Sequence, residues 1–254
     1  MGITRRQFLG YATGAVTAGL PRLLPLDPTS RRYVLLDLDE HGCFRESVSG
    51  YESALTSAGV RWMPGDARWI SPARCAVLIV PAALEIPPPA IRAIVSCLQA
   101  GANVIFESGA GFATDREFRA HRVVLRDYLQ VHIEEPVDLW PDHSSQRIPY
   151  VDYTWPRPAK VRDFSRVVTL GRQAGEVIAR VDGLPVALKR PGGRGNLIFL
   201  GSPLGPALWA GDAEARRWLF DCLGTAGGER ADVRSVCPPP KRSFISIATI
   251  TRAT

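Results

Sequence analysis

The sequence predicts an α/β fold in which a mostly parallel sheet carries helices on both faces. Continuous apolar runs of strand length occupy residues 33–38 and 75–81, and the segments that follow them place apolar side chains at helical spacing. Strands separated by helices need crossover connections, which make neighbouring strands parallel. The chain has 254 residues, 46% of them apolar and 22% charged, so it suits a single globular domain.

The first half of the chain alternates strands and helices. Tyr51 and Leu55 share an apolar helical face that ends at Gly59, and three prolines at 87–89 begin a second helix that ends at Gly101. The predicted strands of this half are residues 33–38, 60–63, 75–81 and 103–107, and the predicted helices are residues 48–58 and 88–100.

The second half departs from this alternation. Residues 115–129 predict a helix, whereas residues 134–166 hold scattered prolines and aromatic side chains without a sustained period, which indicates an irregular insertion. An Asp-Gly pair at 182–183 separates two strand-like runs and predicts a β-hairpin. Further predictions are a glycine-rich turn at 192–195, a strand at 196–201, a helix at 212–223 with Asp212 as N-cap, and a loosely ordered tail at 224–254.

Two motifs resemble the class I glutamine amidotransferase-like fold. They are the strand and turn at residues 101–112 and the turn and strand at residues 193–202, with the predicted hairpin between them. The resemblance covers about residues 32–223 and implies a flavodoxin-like, mostly parallel sheet with a late β-hairpin. Catalytic members of that family carry a cysteine at the turn after the first motif strand and a late histidine. Here the turn reads Glu107-Ser108-Gly109, and the histidines are His41, His121, His132 and His143. The resemblance therefore implies a non-catalytic relative.

The N-terminus resembles a twin-arginine export signal. Arg5 and Arg6 precede Gln7, Phe8 and Leu9, and a mildly apolar stretch of Gly, Ala and Thr follows. This resemblance implies that residues 1–26 engage the twin-arginine export machinery. The protein is then expected in the periplasm or elsewhere outside the cytoplasm, anchored there if the segment is not cleaved, with residues 27–223 as the domain.

The charge distribution argues against nucleic acid as a partner. The formal charge is +6, but residues 1–26 carry three of these positive charges and residues 224–254 carry three more, which leaves the body balanced. No metal site and no cofactor is expected, because the cysteines and histidines lack ligand spacing. Pairing among the five cysteines stays open, with a bond between Cys222 and Cys237 as one candidate; the five are Cys43, Cys75, Cys97, Cys222 and Cys237.

The carboxyl ends of the predicted parallel strands mark the candidate binding site. Ligands of open parallel sheets bind beyond this edge, where the loops at 39–44, 81–85 and 107–112 emerge. A small-molecule or protein partner is expected there. The candidate ligand-binding residues are Asp39, Glu40, His41, Glu107, Ser108 and Gly109.

Two functions remain open at this edge. The first is an exported, non-catalytic module that binds a ligand or a protein, and the second is a hydrolase that uses Glu107 or Ser108 at a degenerate nucleophile turn. A base or second acid within hydrogen-bond reach of either side chain would favour the hydrolase. The Asp37-x-Asp39 pair also resembles the first motif of haloacid-dehalogenase-like phosphatases, but no acidic motif directly follows a late strand to hold magnesium.

Overall fold

A computed structural model describes residues 32–38, 42, 44–139, 149–163, 166–172 and 175–226. The export segment, the tail beyond 226, Asp39, Glu40, His41 and Cys43 lie outside these residues. The strands are β1 Arg32–Leu35, β2 Trp62–Pro64, β3 Cys75–Ala83, β4 Asn103–Ser108, β5 Ile133–Asp138, β6 Tyr150–Tyr153, β7 Ala159–Arg162, β8 Arg166–Leu170, β9 Glu176–Val181, β10 Leu184–Gly192 and β11 Gly195–Leu200. The α-helices are α1 Arg45–Ser57, α2 Pro88–Ala100, α3 Asp115–Val124, α4 Gly205–Trp209 and α5 Ala213–Ala226, and a π-helical turn, Leu125–Leu129, extends α3.

Nine strands of the described residues form one open sheet in the order β2-β1-β3-β4-β11-β10-β9-β6-β7. The pairings from β2 to β11 are parallel, and those from β11 to β7 are antiparallel. Strands β5 and β8 pair separately. The two predicted strands at 103–107 and 196–201 lie side by side in this sheet, with Phe106 opposite Phe199.

The sheet is mixed, so the prediction of a flavodoxin-like, mostly parallel sheet is wrong; only the broader α/β description is compatible. Two tight turns cause the change of direction. At the first, Asp182 and Gly183 have φ values of 47° and 85°, which is the backbone of a two-residue hairpin turn. At the second, Gly193 lets the β10–β11 turn approach α2, because a Cβ there would lie 2.7 Å from the Gln99 Cα.

The segment at 134–166, expected to be irregular, supplies strands in its described part. Strands β6 and β7 pair with each other and β6 adds to β9, which extends the antiparallel half of the sheet. Val151 and Tyr153 point into the core and alternate with exposed residues, as does the inward pair Ala159 and Val161.

The sheet separates two hydrophobic cores. Helices α1, α4 and α5 cover one face, where Tyr51 and Trp218 are fully buried. Helices α2 and α3 cover the other, around Ile94 and Phe106. None of the helices formed by the described residues is long and apolar enough to cross a membrane.

The predicted helix ends are confirmed where the chain carries clear stop and start signals. Gly101 ends α2 with a left-handed φ of 98°. Asp212 caps α5, and its Oδ1 accepts hydrogen bonds from the backbone N–H groups of Glu214 and Ala215 at 2.8 and 3.1 Å.

Candidate functional site

The candidate site forms at the carboxyl end of β4, where two consecutive residues face opposite sides of the sheet. Glu107 reaches α1 and the start of α4, whereas Ser108 reaches α3. Successive side chains of a strand alternate between faces, so adjacent residues serve two separate clusters. Both residues are fully buried.

Glu107 accepts five hydrogen bonds from three parts of the fold. On Oε2 it accepts from the Ser47 hydroxyl at 2.6 Å and from the Ala82 N–H at 3.1 Å. On Oε1 it accepts from the Tyr51 hydroxyl at 2.6 Å and from the N–H groups of Leu204 and Gly205 at 2.7 and 3.0 Å. Together these contacts join α1, β3 and α4. Five donors around one carboxyl group match an ionised carboxylate.

Burial acts against that ionised form. It raises the pKa of Glu107, while the bonds from Ser47, Tyr51 and the backbone oppose the shift. Burial also raises the pKa of Tyr51 well above its ordinary value, with a further contribution from the neighbouring carboxylate, so its hydroxyl stays a donor.

The Glu107 carboxylate also holds an unusual backbone segment. Ala82 has a φ of 24°, and the pairing of β3 with β4 shifts register between Val80 and Ala83. Non-glycine residues rarely adopt positive φ, and bulges of this kind occur next to functional sites. The carboxylate therefore stabilises a strained strand end directly beside Ser108.

Ser108 lies against a histidine. Its Oγ is 2.9 Å from the Nε2 of His121 in α3 and 3.1 Å from the Gly109 carbonyl oxygen. With the ring proton on Nδ1, Nε2 accepts from the Ser108 hydroxyl; with the proton on Nε2, the ring donates to Oγ and the hydroxyl donates to Gly109. The first tautomer is the arrangement of a nucleophile and its base.

The His121 ring is held neutral. Burial lowers its pKa from 6.5 to about 4, opposed in part by the backbone of Leu84. Besides Ser108, the backbone of Leu84 approaches the ring, and no acidic side chain of the described residues hydrogen-bonds to Nδ1. The pair is thus a dyad without an acid to orient the ring.

Aromatic side chains enclose the dyad. The Phe112 ring centroid lies 5.2 Å from that of His121, and the Phe106 centroid lies 6.4 Å from it on another side. Phe118 packs edge-on against Phe112 at 5.3 Å. Phe112 is only half-buried and belongs to the loop between β4 and α3, so it is the outermost of these rings.

The structure brings some of the predicted site residues together. Glu107, Ser108 and Gly109 share the end of β4, and a Cβ at Gly109 would lie 2.8 Å from the Leu84 Cδ2, so the turn packs closely on the neighbouring loop. Asp39, Glu40 and His41 lie outside the described residues. In the described part of the chain, no three metal-ligating side chains cluster.

Three residues that sequence analysis missed complete the two clusters, namely Ser47, Tyr51 and His121. Tyr51 was assigned only to a helix and Ser47 to the position just before it, because nothing in sequence links them to a carboxylate more than 50 positions away. For His121 a signal exists: Phe118, His121 and Leu125 recur at helical spacing and are all buried, so the histidine shares an inward face.

Comparison with known proteins adds information about the fold. No protein-family profile and no curated protein matches this chain. A cold-adapted β-galactosidase from Rahnella sp. R3 is similar, with a TM-score of 0.56 and 13% identity over 74% of this chain and 32% of the enzyme. An α-L-fucosidase from Paenibacillus thiaminolyticus is similar at a TM-score of 0.54 and 14% identity, over 79% of this chain and 33% of the enzyme.

A third similar structure consists almost entirely of the shared fold. It is the cytoplasmic protein STM1381 from Salmonella typhimurium LT2, with a TM-score of 0.56 and 13% identity, over 77% of this chain and 99% of that one. The chain spans about a third of the length of the glycoside hydrolases that it matches.

These similarities correct the assignment to the glutamine amidotransferase-like family. The similar structures are glycoside hydrolases and the Salmonella protein, and the mixed sheet differs from the expected parallel one. The non-catalytic module inferred from amidotransferase relatives is corrected with it. What the chain shares with a segment of these glycoside hydrolases, and with nearly all of the Salmonella protein, is an α/β fold.

Proposed function

We propose that the protein is a hydrolase that transfers an acyl group to Ser108, with His121 as the general base. The observation that carries this proposal is the 2.9 Å contact between Ser108 Oγ and His121 Nε2 at the carboxyl end of a parallel strand. A base within hydrogen-bond reach of Ser108 is the feature expected of a hydrolase, and His121 has that position.

The chemistry follows that of other serine nucleophiles. Nε2 takes the hydroxyl proton as Oγ attacks the acyl carbon, and the imidazolium then returns the proton to the leaving group. Water hydrolyses the acyl-enzyme in the second half of the reaction. Since no acid orients His121 Nδ1 within the described residues, a dyad of modest efficiency is expected.

Substrate access requires the loop at 109–114 to move. Ser108 is fully buried and His121 is 3% exposed, so the described conformation is closed. Displacement of Phe112 from the imidazole would hydrate the ring and bring its pKa from about 4 back towards 6.5, where an imidazole is a better base near neutral pH. Opening therefore both admits the substrate and activates the base.

Glu107 has a positioning role in this proposal. Its five bonds fix the last residues of β4 against α1, β3 and α4, and its carboxyl group is buried on the opposite face from the dyad. It therefore holds the backbone that carries Ser108 and does not touch the reacting atoms.

The shared fold does not by itself favour hydrolysis of a glycosidic bond by this chain. That chemistry uses two carboxyl groups on either side of an accessible glycosidic bond. The buried carboxyl groups of the described residues are Glu107 and Asp163, and the second accepts a hydrogen bond from the Ser202 hydroxyl at 2.5 Å. Both are occupied in structural contacts.

Residues 1–26 extend the proposal to the place of action. They resemble a twin-arginine signal, and we propose that the hydrolase is exported in a folded state to the periplasm or beyond. Its binding partner, a small molecule or a protein, is expected at the carboxyl ends of the parallel strands.

A fluorophosphonate probe tests the nucleophile, because it phosphonylates serines that a neighbouring base activates. The full chain is incubated with the probe, digested and analysed by mass spectrometry, and turnover of p-nitrophenyl acetate and butyrate is followed in parallel. We expect the probe on Ser108, and we expect Ser108→Ala and His121→Phe to abolish both labelling and turnover.

Two further variants make the test specific. Phe112→Ala should speed labelling at least several-fold, because it removes the ring that covers His121 and leaves both residues of the dyad in place. Ser202→Ala removes another buried serine hydroxyl beside an acid and should leave labelling unchanged. Absence of label in both the wild type and Phe112→Ala, with the fold intact by circular dichroism, would reject the proposal.

A further inference from the structure

Away from the candidate site at the carboxyl end of β4, the core contains a pair of buried thiols. Cys75 is the first residue of β3, and Cys97 lies in the last turn of α2. They are 2% and 0% exposed and belong to the same hydrophobic core. Neither is part of a disulfide in the structure.

The connection between β3 and α2 brings the two cysteines together. Helix α2 runs back along the sheet after β3, so its last turn returns to the start of the strand, and it packs on the 3-10 turn Pro72–Arg74 immediately before Cys75. The side chain of Cys75 is hydrogen-bonded to that of Cys97. The two side chains are therefore neighbours in the core, and a disulfide requires neighbouring sulfur atoms.

The contact also makes one of the thiols more acidic. The hydrogen bond from Cys75 lowers the pKa of Cys97, although burial opposes the shift. Thiol–disulfide exchange begins with a thiolate, so Cys97 is the better attacking group. Cys222 differs in this respect, because burial on the other face of the sheet raises its pKa.

We propose that Cys75 and Cys97 form a disulfide when the chain folds in the presence of a disulfide oxidant, and that this bond joins the start of β3 to the end of α2. The Cys97 thiolate attacks one sulfur of the oxidant, for example oxidised glutathione, and releases one glutathione thiolate. The Cys75 sulfur then attacks the mixed disulfide and releases the second. The protein loses two protons and two electrons, and oxidised glutathione is reduced to two glutathione molecules.

Mass spectrometry of the wild-type full chain tests the proposal. The protein is unfolded, refolded with oxidised and reduced glutathione, alkylated and cleaved with trypsin, which separates the two cysteines because Arg74, Arg92 and Arg116 flank their peptides. We expect peptide 75–92 linked to peptide 93–116, and Cys222 alkylated. The linkage should raise the midpoint of thermal unfolding by about 5–10 °C relative to the reduced protein.

The controls separate this linkage from other pairings. Cys222→Ala should keep both the linked peptide and the thermal shift, whereas Cys97→Ala should lose both. Alkylation of Cys75 and Cys97 in the oxidised sample, or a link from either of them to another cysteine of the chain, would overturn the proposal. The outcome does not depend on hydrolase activity, because no cysteine takes part in that reaction.

Discussion

Acid should destabilise this protein through the buried ring of His121. The unfolded chain protonates the ring near pH 6.5, whereas the folded chain does so only near pH 4, because burial disfavours the imidazolium. The contribution of the buried neutral ring to the free energy of unfolding is complete above about pH 7, and it is lost as the pH falls from 6.5 through 4. With about 1.4 kcal/mol for each pKa unit, the loss amounts to about 3 kcal/mol.

His121→Phe isolates this contribution. The variant keeps a ring among Phe106, Phe112 and Phe118, and the Ser108 hydroxyl keeps the Gly109 carbonyl as acceptor. Other titrating groups, including Glu107, contribute to both proteins and cancel in the comparison. Urea unfolding of both proteins, at several values between about pH 7.5 and about pH 4, gives the difference in unfolding free energy.

We expect the wild type to lose about 3 kcal/mol relative to the variant over this interval. His132→Gln, which removes an exposed histidine, is the matched control for loss of a histidine in general. If wild type and His121→Phe lost stability in parallel, the ring would not be buried in its neutral form, and the closed dyad would have to be abandoned.

Four further changes test other parts of the structure. Glu107→Gln turns an amide N–H₂ group towards groups that are themselves donors, and the backbone N–H groups among them cannot act as acceptors. Urea titration should show a loss of about 3 kcal/mol in the free energy of unfolding. Gly205→Ala places a Cβ 2.2 Å from the Ser47 Oγ and should cost about 3 kcal/mol by the same assay. Asp212→Ala removes the N-cap of α5 and should cost about 1 kcal/mol in thermal unfolding, whereas an unchanged midpoint would contradict the cap. Replacing Arg5 and Arg6 together by lysine should retain the protein in the cytoplasm, and unaltered export in cell fractionation would refute the signal.

Local signals were sufficient for much of the fold. Helix α2 was predicted with its observed bounds, because the prolines at 87–89 mark its start, a glycine follows its last residue and apolar residues recur at helical spacing between them. The β9–β10 hairpin was predicted from Asp182-Gly183, since that pair supplies two positive φ values. Signals of this kind act within a few residues and survive tertiary packing.

The antiparallel extension of the sheet could not be predicted in the same way. Strands β6 and β7 have four residues each, and an alternation over four residues is too short to stand out among prolines and aromatic side chains. Strand β7 pairs with β6, and β6 depends in turn on pairing with the distant strand β9, where Asp152 lies opposite Arg180. The amidotransferase resemblance also favoured a parallel sheet and left no place for them.

The two clusters of the site also depend on distant contacts. Ser47 and Tyr51 follow a helical period that marks them as inward, but their role comes from Glu107, 60 and 56 positions away. His121 shares its helical face with Phe118, so burial was predictable while the contact with Ser108 was not. Sequence periodicity predicts which side chains are inside and does not predict which of them meet.

The carboxylate of Glu107 has a consequence for how this sequence can evolve. Three of its donors are backbone N–H groups, at Ala82, Leu204 and Gly205, and mutation of those residues to any type but proline leaves the N–H group in place. The two hydroxyl donors, Ser47 and Tyr51, can be replaced, but only by side chains that also donate a hydrogen bond to the carboxylate. Among homologues that keep this arrangement, an acidic residue should therefore persist at position 107, while positions 47 and 51 vary together as alternative hydroxyl or amide donors.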